Sequence, residues 1–447
     1  MATGIPSKKS ELDSYPVRLQ YPDKTLKQQV LDGKTVPLVK INQGIDKKRL
    51  YFGDNLDILR GLVKDKSIQG QVNLIYIDPP FATQSKFVSR QQRQAYSDTL
   101  TGSKFIEFLR HRLILLHEIL SERGSLYLHL DEKMIFEAKI ILDEIFGVQN
   151  YRNLIIRKKC NPKNYTRKCY GKTADFILFY TKTDQYIWHP PVEPLSEKSL
   201  KEYQYIEPET GRQFMKVPIH APGIRNGETG KPWRGMSPPP GKHWQYPPKT
   251  LDEMDARGEI FWSKNGNPRR KVYLDRHPGV GVQDIWLDFR DAHNQNIKIT
   301  GYPTEKNPDL LRRIVAASSN PGDLVLDCFA GSGTTLAVAD ELERNWIGVD
   351  NSPEALASIL ERFNRGLQLM GDYSKQRREE EESYVQRSLF ESISNQLVEE
   401  DQTNFPKSIV SNFSVYLDRD RTAEVSQIID KWLGSYPAGK EDRRCGG

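Results

Sequence analysis

Apolar positions along this chain follow two textures. In the first, short apolar runs alternate with helical spacing. Lys48-Arg49-Leu50-Tyr51-Phe52 reads as a strand ended by Gly53-Asp54-Asn55, and Leu56, Leu59 and Leu62 then recur at helical intervals. The run from Val72 to Ile77 is a second strand, stopped by Asp78, Pro79, Pro80 and Phe81. Phe105, Phe108, Leu109, Leu113, Leu116, Ile119 and Leu120 predict a helix that Arg123-Gly124 stops. Ser125 to Leu130 alternates as a strand ending at Asp131, and a helix from Lys133 to Phe146 ends at Gly147. Further strands fall near 153–158 and 175–181. This order predicts an α/β layer with a partly antiparallel edge. The polar, Gln-rich stretch from Thr83 to Gly102 reads as a mobile loop over the Asp-Pro-Pro-Phe turn.

From about 184 to 295 the texture changes. Prolines crowd in from Pro190 to Pro248, and no helix longer than one near 250–257 is expected. A separate β- and loop-rich module is predicted there. At Tyr302 the first texture returns, with a helix from Pro308 to Ala317, a strand over Leu324–Phe329, a helix over about 335–343 and a strand from Trp346 to Asp350. The expected organisation is therefore an N-terminal arm (1–46), a first α/β half (47–183), the insert (184–295), a second α/β half (296–370) and a polar extension (371–447). Within the extension, 405–435 has the pattern of a small docking element.

Composition adds limits. With 447 residues, including 17 Phe, 20 Tyr and 7 Trp, the chain can build two or three cores. No apolar run is long enough to span a bilayer, and Met1 to Ser10 lacks the apolar segment of a signal peptide. The four cysteines, Cys160, Cys169, Cys328 and Cys445, are too scattered for a disulfide framework or a zinc site. Reduced thiols, a cytoplasmic location and no metal are expected. A net charge of +6 is compatible with a polyanionic partner without demanding one.

Two stretches carry candidate chemistry. At Asp78-Pro79-Pro80-Phe81 a strand delivers a carboxylate, a stiff backbone and a flat ring to one place. An ordinary Asp-Pro turn is the plainer reading of that stretch alone. The second is Asp327-Cys328-Phe329-Ala330-Gly331-Ser332-Gly333-Thr334-Thr335, a strand, a Gly-x-Gly turn and a helix, with Asp350 ending the next strand 17 residues after Gly333. That is the shape of a nucleotide-type site, in which glycine admits a ligand close to the backbone and the following acid accepts from ribose hydroxyls. The third glycine of a dinucleotide fingerprint is replaced by Leu336, and the Asp327 carboxylate repels phosphate. A ligand with a cationic or donor-rich end fits better. Phe329 packs on that ligand's apolar parts or fills the core. Asp54 either caps its helix or faces the ligand. Lys306 either approaches a ligand carboxylate or stays solvated.

These two motifs together resemble the amino-group DNA methyltransferases. There the tetrapeptide is catalytic and the glycine turn holds S-adenosylmethionine. The catalytic motif comes first here, with a module between the two, as in the β subgroup of type III modification subunits and stand-alone adenine methylases. Leu251 to Phe289 also looks like the inserted stretch of that subgroup. The resemblance implies a circularly permuted Rossmann-like sheet of α/β class with an inserted recognition domain, acting on adenine N6 in duplex DNA. It implies catalytic roles for Asp78, Pro79, Pro80 and Phe81. It places Asp327, Phe329, Gly331, Gly333, Thr334, Thr335 and Asp350 at the cofactor, with Asp54 beside its adenine and Thr304 and Lys306 near its methionine end. The family's Lys-Pro at that last turn is Lys306-Asn307-Pro308 here.

The chemistry matches. An exocyclic amine is a poor nucleophile because its lone pair is delocalised, and acceptors at Asp78 and the Pro79 carbonyl draw it towards a tetrahedral form. Phe81 offers a stacking face for a base taken out of the helix. No cysteine follows a proline, as ring-carbon methylation of cytosine requires. Asp rather than Ser at 78 resembles the adenine type. Open alternatives are an N4-cytosine methylase, an RNA or protein-glutamine methylase, and a catalytically silent DNA-binding protein. For DNA contact the basic clusters are Arg157, Lys158, Lys159, Lys163, Arg167 and Lys168, and Arg269, Arg270 and Lys271, with solubilising charge as the alternative. A restriction subunit or a second copy of the chain are the further partners considered.

Overall fold

The computed structural model describes residues 17–80, 86–88, 94–97, 102–162, 168–291, 298–299, 305–369 and 412–433. They form two compact units, one of residues up to His189 together with those from Gln283 on, the other Pro190–Val282.

The first unit is built on a sheet of ten strands among the described residues. In chain order these are β1 (Leu38–Lys40), β2 (Lys48–Phe52), β3 (Val72–Ile77), β4 (Leu120–Leu130), β5 (Tyr151–Lys158), β6 (Ala174–Thr181), β7 (Ile285–Trp286), β8 (Leu324–Asp327), β9 (Asn345–Asp350) and β10 (Ser414–Asp418). Across the sheet they run β1, β10, β2, β9, β8, β3, β4, β6, β5, β7. From β10 to β4 all pairs are parallel. The pairs β1/β10, β4/β6 and β6/β5 are antiparallel.

Central parallel strands are covered on both faces, which is why they read as continuous apolar runs. Leu74, Ile75 and Ile77 of β3 are fully buried. Each such side chain contributes about 1.5–3 kcal/mol relative to leaving it exposed. The covering helices are α1 (Asn55–Lys64), α2 (Ser103–Ile119), α3 (Ile135–Phe146), α4 (Pro308–Ser318), α5 (Thr334–Glu341) and α6 (Pro353–Arg365). Their apolar stripes face inward, as at Ile58, Leu59 and Leu62 of α1 and Leu109, Leu113 and Leu116 of α2.

Register aligns the strand ends. Leu326 pairs with Ile75, Asp327 with Gly348 and Phe52 with Asp350. Counting on from these pairs brings Asp54, Asp78, Phe329 and Asp350 to one carboxyl edge, where open α/β sheets bind ligands.

Several expectations need correction. Arg123-Gly124 does not separate helix from strand; α2 ends at Ile119, and β4 starts at Leu120, which pairs with Val72. The stretch 83–102 is not one loop, since Lys86–Val88 pairs antiparallel with Gln94–Ser97; residues 83–85, 89–93 and 98–101 lie outside the described residues. The arm is not separate from the first α/β half: Val30 is buried in the main core and β1 joins the main sheet. The small docking element expected within 405–435 is present, and it is a strand of the main sheet: β10, with Phe413, Val415 and Leu417 fully buried. The insert is narrower than 184–295, because Ile187 and Trp286 are buried and β7 pairs with β5. For the arm, the extension and the edge of the insert, the strand that pairs with the segment is far away in sequence.

The second unit holds a four-stranded antiparallel sheet of Tyr205–Ile206, Gln213–Pro218, Pro268–Tyr273 and Ile260–Trp262. Helix Pro248–Ala256 packs into a small core with Ile219, Trp233, Trp244, Leu251, Met254 and Ile260. Among the described residues no helix is long and apolar enough to cross a membrane.

Candidate active site

Strand β3 ends in Asp78, followed by a buried Pro79 and a half-buried Pro80. Asp78 Oδ2 lies 2.8 Å from the Lys306 ammonium, and the two side chains are 18% and 11% exposed. Asp78 Oδ1 is buried and has no hydrogen-bond partner among the described residues. An acceptor left in that condition costs about 1–3 kcal/mol unless a ligand satisfies it. Phe81 lies outside the described residues, as does Thr304. The sequence offered Lys306 to a ligand carboxylate; the structure places its ammonium on Asp78 instead.

A buried polar chain runs beneath this turn. Tyr76 Oη is 2.8 Å from His129 Nδ1. His129 Nε2 is 3.1 Å from Asp175 Oδ1, out of line for a hydrogen bond. Arg157 donates to Asp175 Oδ2 at 2.9 Å, to Asp291 Oδ1 at 2.6 Å and to the Phe289 carbonyl at 2.6 Å. Burial holds His129 below its ordinary imidazole range, outweighing Asp175 beside it. Burial alone would push Asp175 up, but His129, Arg157 and Lys306 outweigh it and hold the carboxyl well down.

On the neighbouring strand, Asp327 is buried and accepts from the Phe329 N–H at 3.0 Å and the Thr335 hydroxyl at 2.6 Å. Burial pushes its carboxyl up to about 7, with Asp78 and Asp350 adding to the shift against those two donors. Gly331 and Gly333 have φ of +51° and +73°, the left-handed region that glycine enters without strain. A Cβ on Gly333 would also come within 2.8 Å of Ile359. The Gly331 N–H donates to Asp350 Oδ2 at 2.8 Å, and the Ser352 N–H to Oδ1 at 2.9 Å. Each oxygen keeps a further lone pair for a hydroxyl donor. Burial raises the Asp350 carboxyl as well.

Thr334 and Thr335 are both buried, and their hydroxyls serve the protein itself. Thr335 donates to Asp327, and Thr334 accepts from Arg362 at 3.0 Å. Asp54 caps α1 through the Leu56 N–H at 2.8 Å and lies 3.3 Å from Arg112. Capping uses one oxygen, so it leaves the ligand role intact. Asn55, Phe108 and Arg112 were missed by sequence reasoning. Asn55 donates to the Cys328 carbonyl at 2.6 Å, and Arg112 donates to Asn55 at 2.6 Å. The Arg112 guanidinium lies 3.6 Å from the Phe108 ring centroid, and that ring is 6.0 Å from the half-buried Phe329. The available signal was an arginine on an otherwise apolar helix face.

The basic clusters divide. Arg157 is wholly buried in the polar chain above, so it is not a DNA contact. Lys158 and Lys159 are half-buried and Lys168 is exposed, while Lys163 and Arg167 lie outside the described residues. In the second unit Arg269 is exposed. Arg270 donates to the Tyr246 hydroxyl at 2.6 Å and Lys271 pairs with Glu207 at 2.7 Å, so both are engaged within the unit.

The fit to S-adenosylmethionine rests on the donor set. A left-handed glycine turn offers close backbone approach, Asp327 offers a carboxylate to an ammonium, and Asp350 offers acceptors to ribose. An unsatisfied carboxylate oxygen, Asp78 Oδ1, lies across the same edge, an acceptor that an amine donor can meet. Residues 72–361 match the DNA methylase family model, and the chain belongs to that family of N6 and N4 amino methyltransferases. It is 43% identical over 420 residues to the type II methyltransferase M.EcaI of Enterobacter cloacae, covering 92% of this chain and 89% of that protein. The type II methyltransferase M.KpnI of Klebsiella pneumoniae is 28% identical over 65% of this chain and 76% of its own length. The Mod subunit of the type III enzyme StyLTI of Salmonella typhimurium is 27% identical over 63% of this chain and 48% of its own length. The protein is thus a site-specific DNA methyltransferase, and its cofactor is S-adenosylmethionine.

Proposed function

We propose that this enzyme methylates N6 of an adenine flipped out of duplex DNA, with Asp78, Pro79, Pro80 and Phe81 as its catalytic turn. The observation that carries this reading is Asp78 Oδ1, a buried acceptor with no partner beside an oxygen already held by Lys306. An amino group of the base satisfies it. The Pro79 carbonyl is the second acceptor, fixed by the proline rings. Together they draw the amine towards a tetrahedral nitrogen and free its lone pair. When bound, S-adenosylmethionine supplies an electrophilic methyl group. The nitrogen lone pair would take that methyl as the sulfur–methyl bond breaks, with the bonding pair staying on sulfur and S-adenosylhomocysteine leaving; the amine would then lose one proton, with Asp78 the first acceptor in its path. Cofactor contacts are assigned to Asp54, Asp327, Phe329, Gly331, Gly333 and Asp350.

Adenine is favoured over cytosine by Asp rather than Ser at 78, and similarity to a type III Mod subunit leans the same way. A ring-carbon mechanism is disfavoured: Cys328 is buried and its thiol pushed up by that burial. DNA contacts are assigned to Lys158, Lys159, Lys168 and Arg269. A restriction subunit is the partner this reading includes, since some relatives are named as Mod subunits of type III restriction-modification enzymes. Modification mapping of DNA from cells expressing the protein tests the proposal. One methylated adenine in a recurring short sequence is expected, and methylated cytosine at that sequence would overturn it.

A further inference from the structure

We infer that Lys306 is a positioning residue for Asp78, holding one carboxylate oxygen so that the other faces the amine. This rests on the amine-methylation reading. The ammonium sits 2.8 Å from Oδ2, while Oδ1 stays buried and without a partner. A charge-assisted contact restricts rotation of the carboxylate about its terminal bond and leaves the second oxygen as the acceptor.

The lysine is itself delivered by a clamped turn. Glu305, one residue before it, is buried and pairs with Arg362 of α6. The same guanidinium donates to Thr334, the residue that follows the Gly333 turn. On the other side, Asn307 is buried and caps α4 through the Asp309 N–H at 2.9 Å, with Pro308 in the first helical turn. Lys306 therefore projects from a stretch fixed at both neighbours, and Arg362 links that stretch to the glycine turn. Through it the placement of the catalytic carboxylate depends on the same framework that holds the cofactor loop.

The alternative role, a ligand for the cofactor's carboxylate, predicts the opposite kinetic split. The test uses the full chain with Lys306→Met, Lys306→Arg, Asp78→Ala and the Asp78→Ala/Lys306→Met double variant. Affinity for S-adenosylhomocysteine is measured by calorimetry, and methyl transfer to duplex DNA in single turnover at saturating cofactor. We expect Lys306→Met to bind S-adenosylhomocysteine within about threefold of wild type and to transfer methyl about 100-fold more slowly, or about 2.7 kcal/mol of barrier. Lys306→Arg recovers at least about tenfold of that loss, and the double variant is no slower than Asp78→Ala. Lys306→Gln replaces the methionine variant if that one does not fold, with the same split expected. Weakened S-adenosylhomocysteine binding with an unchanged single-turnover rate overturns the inference, and so do losses that multiply in the double variant. Full activity in Asp78→Ala would instead overturn the amine-methylation reading, whatever Lys306 does.

Discussion

Arg157→Met is expected to cost stability and leave DNA affinity alone. The wild-type guanidinium is 0% exposed and donates to Asp175, Asp291 and the Phe289 carbonyl. Removing it leaves Asp175 buried without its cation and an unmet carbonyl at Phe289. Asp291 is partly exposed and recovers water. Truncating one partner of a buried pair costs about 3–5 kcal/mol. That is a large share of the roughly 5–15 kcal/mol that holds a typical fold. At roughly 2–4 °C per kcal/mol for large domains, the melting midpoint falls on the order of 6–20 °C. Adding Asp175→Asn removes the stranded charge and restores part of the loss. The assay is a thermal melt of each variant, paired with DNA affinity against salt at a temperature where all are folded. Each phosphate contact contributes about 0.9 to the log–log salt slope, and Arg157→Met leaves that slope unchanged. An unaltered melting midpoint with the slope reduced by about one would refute the reasoning and return Arg157 to the DNA surface.

Two further predictions concern protons. Glu107 accepts from Tyr21 at 2.5 Å and from the Thr25 N–H at 2.7 Å, tying residues 21–25 to α2. Burial would raise its carboxyl, but these donors and Arg110 bring it down to about 2, so its contribution is complete above about 4.5 and lost as pH falls towards 2. Glu107→Gln should flatten the dependence of melting midpoint on pH across that window; an unchanged slope speaks against the tie. Asp327 has the opposite sign. Its carboxyl is pushed up to about 7, so the folded protein loses the associated stability as pH rises through 7. Binding a cationic ligand end there favours the ionised form and releases a proton below pH 7. Calorimetry of S-adenosylhomocysteine in buffers of different ionisation enthalpy should register that release at pH 6 and little of it at pH 8. Equal heats in all buffers at pH 6 count against the contact.

The elements that hold the site were legible because parallel strands buried on both faces read as apolar runs, and each ends in an acid. Val72–Ile77 before Asp78 and Leu324–Leu326 before Asp327 show this directly. What local pattern cannot carry is the identity of a distant partner. Ser414–Asp418 falls in the docking element expected within 405–435, but its pattern does not name its neighbours in the sheet, β1 and β2, more than 360 residues earlier. Arg157 sits among lysines and reads as surface charge, but Asp175 and Asp291 make it interior. Lys306 reads as a lysine facing solvent or a ligand until folding brings Asp78, 228 residues upstream, to its ammonium. Arg112 was hidden for the converse reason, since its helix face is otherwise apolar.

Nucleoside analysis of duplex DNA after reaction with wild type and with Asp78→Ala tests the central claim most directly. DNA carrying one copy of the mapped sequence is incubated with S-adenosylmethionine, digested to nucleosides and resolved by mass spectrometry. The account predicts N6-methyladenine from the wild type and none from Asp78→Ala, which still binds S-adenosylhomocysteine. N4-methylcytosine as the product, or N6-methyladenine persisting without the Asp78 carboxylate, would contradict it.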